Sequence, residues 1–265
     1  MEVIVKESYE EIGKEAGKLI RLALARKPEL VLGLPTGGTP LSLFRELIRL
    51  HKEEGLDFSG VTTFNLDEYV GLGPEHPRSF NRFMHEHLFD HVNIKRENIN
   101  IPDGMSMDLE AHCRAYEDKI ASCGGIDLQV LGIGRDGHIA FNEPGSSLGS
   151  RTRVKTLAEE TIQDNSRFFE KKEDVPVFAI TMGIGTIMEA RRIILLGSGT
   201  VKADVISRFI EGPITSEVTA SILQMHPSLS VVLDLEAAHR LNRLKYYEWV
   251  YECKQKLVSK GYPEV

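Results

Sequence analysis

Residues Val130 to Gly145 read V-L-G-I-G-R-D-G-H-I-A-F-N-E-P-G, and the fold turns on how that stretch begins. The apolar run Ile126 to Leu131 predicts a buried strand of a parallel sheet. It empties into a loop with three glycines, Gly132, Gly134 and Gly137, and three chemically active side chains, Asp136, His138 and Glu143. Glycine lets the backbone take positive φ and lets a ligand approach closely. In an open α/β sheet ligands sit beyond the carboxyl ends of the strands, so this loop is the expected active site. The same letters contain G-x-G-x-x-G, which in a dinucleotide-binding unit needs a helix opening at the third glycine. Here Gly137 is followed by H-I-A-F-N-E-P-G, and Pro144-Gly145 would stop a helix almost at once, so the match is read as accidental.

Working outward, two more strands end in chemistry. Leu30 to Leu34 runs into P-T-G-G-T-P, Pro35 to Pro40. Thr39 is the expected N-cap and Pro40 the first residue of a helix reaching about Lys52. Backbone N–H groups of Gly37, Gly38 and Thr39 can converge on an anion with help from the helix dipole. The turn lacks the Gly-Lys-Ser/Thr ending of a Walker A loop, and the letters fit a plain turn before a capped helix as well. Val61 to Leu66 ends in Asp67-Glu68-Tyr69. Two adjacent carboxylates cannot face the same way on a strand, so one of them is the candidate base. A turn aspartate with an exposed neighbour would look the same, but two other strand tips also carry reactive groups.

The remaining pattern alternates. Val3 to Val5 predicts a strand, and Tyr9 to Arg26 a helix with Ile12, Ala16, Leu19, Ile20 and Ala23 on one face. In the stretch from His76 to His91, His87 and His91 are four apart and could share a helical face. A metal site would need a third ligand and an open position, and a histidine-rich amphipathic surface explains the spacing without one. Ile101 to Met107 reads as a loop and Leu109 to Ile120 as a helix. Ser146 to Thr156 carries Arg151, Arg153 and Lys155 and no acid, which suits either anion binding or a solvated basic loop. In N-S-R-F-F, Asn165 to Phe169, Arg167 sits on a segment poorly patterned for core, as a lid bringing a guanidinium to a phosphate would. Strands are expected at Val177 to Thr181, Ile193 to Leu196 and Leu229 to Leu233. Helices are expected from Gly183 to about Ala190, from Lys202, up to Gln224–Pro227, and over Leu244 to Lys260. This alternation predicts one α/β domain over residues 1–265: a single doubly wound, mostly parallel sheet with helices on both faces, and a mobile lid around 157–180.

Composition narrows the function classes. The 265 residues are 42% hydrophobic and 27% charged with a net charge of −7, and no basic stripe emerges, which argues against nucleic acid as partner. Cys113, Cys123 and Cys253 are too few and scattered for a disulfide framework or zinc site. The N-terminus lacks a signal pattern and no apolar run approaches membrane-spanning length, so a cytoplasmic protein without membrane association is expected.

The segments L-G-L-P-T-G-G-T-P, T-F-N-L-D-E-Y-V-G-L, G-I-G-R-D-G-H-I-A-F-N-E-P, S-R-T-R-V-K-T, N-S-R-F-F and L-Q-M-H-P, in one colinear order over nearly the whole chain, closely resemble the glucosamine-6-phosphate deaminase (isomerase) family. The resemblance implies a modified Rossmann-like fold and conversion of glucosamine 6-phosphate and water to fructose 6-phosphate and ammonia, with no metal and no organic cofactor. It implies a homo-oligomer, trimer or hexamer. By the same resemblance Asp67 moves the proton from C2 to C1, and His138, oriented by Asp136 and Glu143, opens the pyranose ring. Thr36, Gly37, Gly38, Arg167 and Lys202 hold the substrate phosphate, although the spacing in L-G-S-G-T-V-K around Lys202 departs from the family pattern. Some members bind an allosteric activator, N-acetylglucosamine 6-phosphate, at positions matched here by Ser146, Arg153, Lys155 and Tyr246. The chemistry asks for these residue types, since an imidazole titrates near neutrality and a held carboxylate can serve two adjacent carbons. Two rivals are a 6-phosphogluconolactonase-type hydrolase and a non-catalytic sugar-phosphate sensor domain. Lactonases typically show D-E-R and G-H-T-A-S-L-F-P-G where this chain has Asp67-Glu68-Tyr69 and Gly137 to Pro144. Sensor regulators carry a DNA-binding helix-turn-helix, for which residues 1–30 offer one helix.

Overall fold

The computed structural model describes residues 1–261. The chain runs β1 (Glu2–Lys6), α1 (Tyr9–Arg26), β2 (Val31–Leu34), α2 (Leu41–Glu54), β3 (Thr62–Asn65), β4 (Asp67–Tyr69), α3 (Phe80–His87), β5 (Ile99–Asn100), α4 (Leu109–Ser122) and β6 (Leu128–Leu131). It continues through β7 (Arg153–Thr156), α5 (Glu159–Asn165), β8 (Phe178–Thr181), α6 (Ile184–Met188), β9 (Arg192–Gly197), α7 (Ala203–Glu211), β10 (Leu229–Asp234), α8 (Leu235–Ala238) and α9 (Leu244–Val258). Helix starts follow local chemistry: Ser8 caps α1 by accepting from the Glu11 N–H, and Asp108 caps α4 from Ala111. Among the described residues no helix is long and apolar enough to cross a membrane.

Seven strands form one parallel sheet in the order β1-β10-β9-β6-β2-β3-β5. Period-two alternation divides its side chains between two cores. Leu32, Leu34, Leu128, Val130, Ile194, Leu196 and Val232 face the core packed by α1 and α2. Val31, Leu131, Ile193, Leu195, Val231 and Leu233 face the one packed by α4, α6 and α7. The expected doubly wound α/β sheet is therefore present. α2 carries the chain from β2 to β3, whereas α6, on the opposite face, leads it into β9 beside β6. Strand order thus reverses between β2 and β6, and a crevice opens there at the carboxyl edge.

Several expectations need correction. A second, three-stranded antiparallel sheet, β4-β8-β7, stands apart from the first. The expected Val177–Thr181 strand belongs to it, and Asp67–Tyr69 and Arg153–Thr156 are strands of it as well. Each is three or four residues long, too short for a periodic signal to build up. Thr39 does not cap α2: the cap position is Pro40, which has no side-chain oxygen. His87 and His91 do not share a helical face, because the chain leaves α3 at Leu88 before a 3₁₀ turn at Phe89–His91. The segment before Gln224–Pro227 is a 3₁₀ turn, Thr219–Met225, rather than an α-helix. The final helix stops at Val258, two residues short of the expected Lys260, and residues 262–265 of the expected domain lie outside the described part.

Candidate active site

The crevice at the reversal point holds a cavity of about 280 Å³. Its walls come from the turn after β2, the junction of β3 with β4, the loop after β6 and the segment around α5. The chain changes sheets at Leu66, whose carbonyl accepts from Met182 N–H at 2.7 Å. That bond pins the end of the parallel sheet to the antiparallel one and leaves Asp67 at the junction, opposite Thr181. Thr181 Oγ1 in turn accepts from Phe141 N–H at 3.0 Å. Asn142, fully buried, donates to Ile139 O and Met182 O and accepts from Arg153, so it ties the central loop to β7 and the end of β8 in the antiparallel sheet.

His138 Nδ1 lies 2.7 Å from Asp136 Oδ1 and 3.3 Å from Glu143 Oε2. Burial works against an imidazolium, but the two carboxylates outweigh it and raise the His138 pKa to about 9. Asp136 is held down to about 2: burial opposes this, and the hydrogen bond and charge of His138 drive it. The ring packs flat against Gly134, where any Cβ would overlap it. Ala140 has a positive φ of 50°, a strained conformation for a non-glycine residue, and it too lines the cavity. Nδ1 and the two carboxylates lie within 4.8 Å of one another, a donor set that could hold a cation. The 2.7 Å separation of Nδ1 from Asp136 is that of an imidazolium–carboxylate ion pair, since ligands of one ion bonded at about 2.0–2.2 Å stand about 3 Å or more apart.

Asp67 is 6% exposed, and burial with the nearby Glu68 charge raises its pKa to about 8, while the His138 charge pulls the other way. Glu68 points elsewhere. It accepts backbone N–H bonds from Tyr69, Phe80 and Asn81 at 2.8, 2.9 and 2.8 Å, and so anchors the first turn of α3. Burial raises its pKa to about 7 despite those three donors. The two carboxylates thus face different ways: Asp67 lines the cavity and Glu68 braces a helix.

At the opposite end, Gly37 takes a φ of +99°, and a Cβ at either Gly37 or Gly38 would meet nothing within 4 Å, so the turn presents bare backbone. Arg167 and Lys202 line the same cavity. Burial lowers the Lys202 pKa to about 8, with the Arg135 and Arg167 charges adding to that and Asp164 and Asp136 opposing it. Arg135 is paired with Asp164 at 3.1 Å, and Arg167 stacks on Phe168 with its guanidinium 4.7 Å from the ring centroid. Tyr69, Phe80 and Phe141 supply an apolar wall, with Tyr69 and Phe80 centroids 4.7 Å apart.

Of the residues expected from sequence, Asp67, His138, Thr36, Gly37, Gly38, Arg167 and Lys202 share this wall, and Asp136 and Glu143 reach it through His138. Ser146, Arg153, Lys155 and Tyr246 lie outside it. Ser146 is buried beside Glu143, whose carbonyl accepts its N–H, while Tyr246 is exposed on α9. Arg151 is taken up by ion pairs with Glu117 and Glu189. The sequence reading missed Tyr9, Asn142, Asn165 and Thr181, whose partners are remote in the chain and leave no local signature.

Comparison with known proteins agrees with this geometry. A family model described as glucosamine-6-phosphate isomerases/6-phosphogluconolactonase matches residues 5–231. A glucosamine-6-phosphate deaminase of Hahella chejuensis is 53% identical over 250 residues, 94% of this chain and 95% of the relative. Glucosamine-6-phosphate deaminase 2 of Bacillus subtilis is 51% identical over 248 residues, 93% of this chain and all of the relative. Among solved structures, a monomeric glucosamine-6-phosphate deaminase superposes with a TM-score of 0.89 at 46% identity, covering 91% of this chain and 100% of the other. A 6-phosphogluconolactonase from Trypanosoma cruzi shares the fold, with a TM-score of 0.71 at 24% identity over 91% of this chain and 97% of its own. A matching sheet, a colinear match over most of the chain and about half of the residues identical leave one assignment: the chain belongs to the glucosamine-6-phosphate isomerase/6-phosphogluconolactonase family.

Proposed function

We propose that this protein is a glucosamine-6-phosphate deaminase, converting glucosamine 6-phosphate and water to fructose 6-phosphate and ammonia. One observation carries the reading: a carboxylate whose pKa is tuned to about 8 and an imidazole set against two acids line one cavity with a bare backbone turn and two cations. The relatives at about half identity carry that name over nearly their whole length.

In this reading Arg167, Lys202 and the turn at Thr36–Gly38 hold the phosphate dianion and supply orienting energy remote from the chemistry. His138 delivers a proton to the ring oxygen and helps remove the one on O1, giving the open-chain aldehyde. Asp67, ionised, takes the C2 proton, the C1–C2 enaminol forms, and the same carboxyl returns the proton to C1. The product is an imine at C2. Water adds to it, ammonia leaves, and the ketone remains, so the atoms balance. A carboxyl with a pKa near the working pH is a better base than one near 4, which gives the burial of Asp67 a purpose. The segment around 157–180 acts as a lid. In support, α5 reaches the body through the Asp164–Arg135 pair and a 2.9 Å bond from Asn165 Nδ2 to Tyr69 Oη.

Ser146, Arg153, Lys155 and Tyr246 form a second, regulatory site for N-acetylglucosamine 6-phosphate, and the protein works as a homo-oligomer. Arg153 and Lys155 alternate onto one face of β7, which supports a shared anion. Ammonia release from glucosamine 6-phosphate, with and without N-acetylglucosamine 6-phosphate, tests both readings, and light scattering tests the assembly. No ammonia in either case would refute the catalytic assignment. His138→Gln should slow turnover far more than it weakens substrate binding; full turnover by that variant would remove His138 from ring opening.

A further inference from the structure

The turn from Pro35 to Pro40 is steadied by a residue of another helix. Pro40 occupies the cap position of α2 and has no side-chain acceptor, yet the helix start is not left bare. Tyr9 Oη, from the first residue of α1, accepts from the Ser42 N–H at 3.0 Å and donates its own proton to Gly38 O at 2.6 Å. One hydroxyl therefore satisfies an orphan donor of the α2 first turn and orients the Gly38 peptide. Gly38 and its neighbour Gly37 have no side chains to brace their backbone, and Gly37 stands at positive φ. Arg45 lies beside the outer side of the Tyr9 ring, its guanidinium 5.5 Å from the centroid and paired with Glu10 at 3.2 Å, and makes no bond to the hydroxyl.

We infer that Tyr9 is a positioning residue for phosphate: it caps α2 across the fold and so sets the Gly37–Gly38 backbone in the geometry that receives the anion. This rests on the reading of that turn as the phosphate cradle. Without the hydroxyl, the two glycines regain freedom and the helix start must find water instead. The loss falls on substrate binding and leaves the distant proton transfers at Asp67 and His138 intact.

The test compares Tyr9→Phe, which keeps the ring and removes only the hydroxyl, with Arg45→Ala, which removes the outer ring contact. Steady-state kinetics with glucosamine 6-phosphate, inhibition by inorganic phosphate and thermal melting are measured on each full-length protein. For Tyr9→Phe, KM and the inhibition constant for inorganic phosphate should rise together by about two- to tenfold, the worth of one or two hydrogen bonds. Its kcat should stay within about twofold, and Arg45→Ala should leave all three constants near wild type. Unchanged KM and phosphate inhibition in Tyr9→Phe overturn the inference while the active-site reading stands. A parallel fall of kcat and melting temperature also overturns it, by showing a purely structural role. If the wild-type enzyme turns over but inorganic phosphate does not compete, the cradle itself is misassigned and the inference falls with it.

Discussion

At the residue scale the site is a contest between burial and neighbouring charge, settled differently for each group. His138 is buried enough to resist a charge, but two carboxylates at 2.7 and 3.3 Å win. At Asp67 burial and the Glu68 charge outweigh the opposing charge of His138, and its pKa rises from 3.8 to about 8. A raised carboxyl pKa means the folded state prefers the protonated form, so the contribution of Asp67 to stability is best below pH 4 and is lost as pH climbs toward 8. Asp67→Asn should therefore cut kcat by roughly 10²–10⁴-fold with little change in substrate affinity. The same variant should melt higher than wild type at pH 8, by at least about 3 °C, with the gain shrinking toward pH 4. A variant that melts lower at pH 8 would mean that the carboxylate stabilises the fold. The two shifted groups also set the pH profile: kcat/KM should rise through about 8 as Asp67 ionises and fall through about 9 as His138 loses its proton. Groups acting on Asp67 are Glu68, which raises its pKa, and His138, which lowers it. Glu68→Gln should accordingly move the acid limb to lower pH while the alkaline limb stays, and an unmoved acid limb would refute the coupling.

At the scale of elements, short pieces with few local bonds are placed by side chains from elsewhere. α5 is seven residues long, has no side-chain cap and carries only Thr161 among its buried residues. Such a segment is expected at the low end of local stability. Its attachments are Asp164 to Arg135, and Asn165 to the Tyr69 hydroxyl at 2.9 Å. Removing the second by Asn165→Ala should speed hydrogen exchange of amides 159–169 by about five- to tenfold and raise KM, leaving exchange in β2 and β6 unchanged. Equal exchange in wild type and variant would show that the bond does not hold the segment. By contrast, the start of β7 is strongly fixed. Glu117 of α4 takes both hydroxyls of Thr152 and Thr186, the Thr152 N–H and the Arg151 guanidinium, so the basic segment approaches the sheet on a rigid lead.

For the whole molecule, the decisive feature is the reversal of strand order between β2 and β6, because it opens the crevice into which three strand tips empty. The two strands approach closely there, and the Gln129 amide lies across Gly33 where a Cβ would overlap it. Gln129 is fully buried and its Nε2 bonds Val130 O, so it cannot swing aside. Gly33→Ala should destabilise the protein by about 1–3 kcal/mol by denaturant titration, and pairing it with Gln129→Ala should recover part of the loss. Additive losses in the double variant would count against the steric account. The sequence by itself determined six of the seven strands of the parallel sheet, all but the two-residue β5, and the reactive residues that follow their tips. Apolar runs such as Val61–Leu66 and Ile126–Leu131 and the helical stripe of Tyr9–Arg26 are local signals; Asp67 directly follows the first, and Asp136, His138 and Glu143 stand in the loop after the second. Tertiary structure alone decided the second sheet, the true cap of α2 and the attachment of α5. The Tyr9 hydroxyl meets Gly38 from 29 residues away, and Asn165 meets Tyr69 from 96. Bonds over such separations form only after the chain has closed those loops, so no period or motif near either partner foretells them.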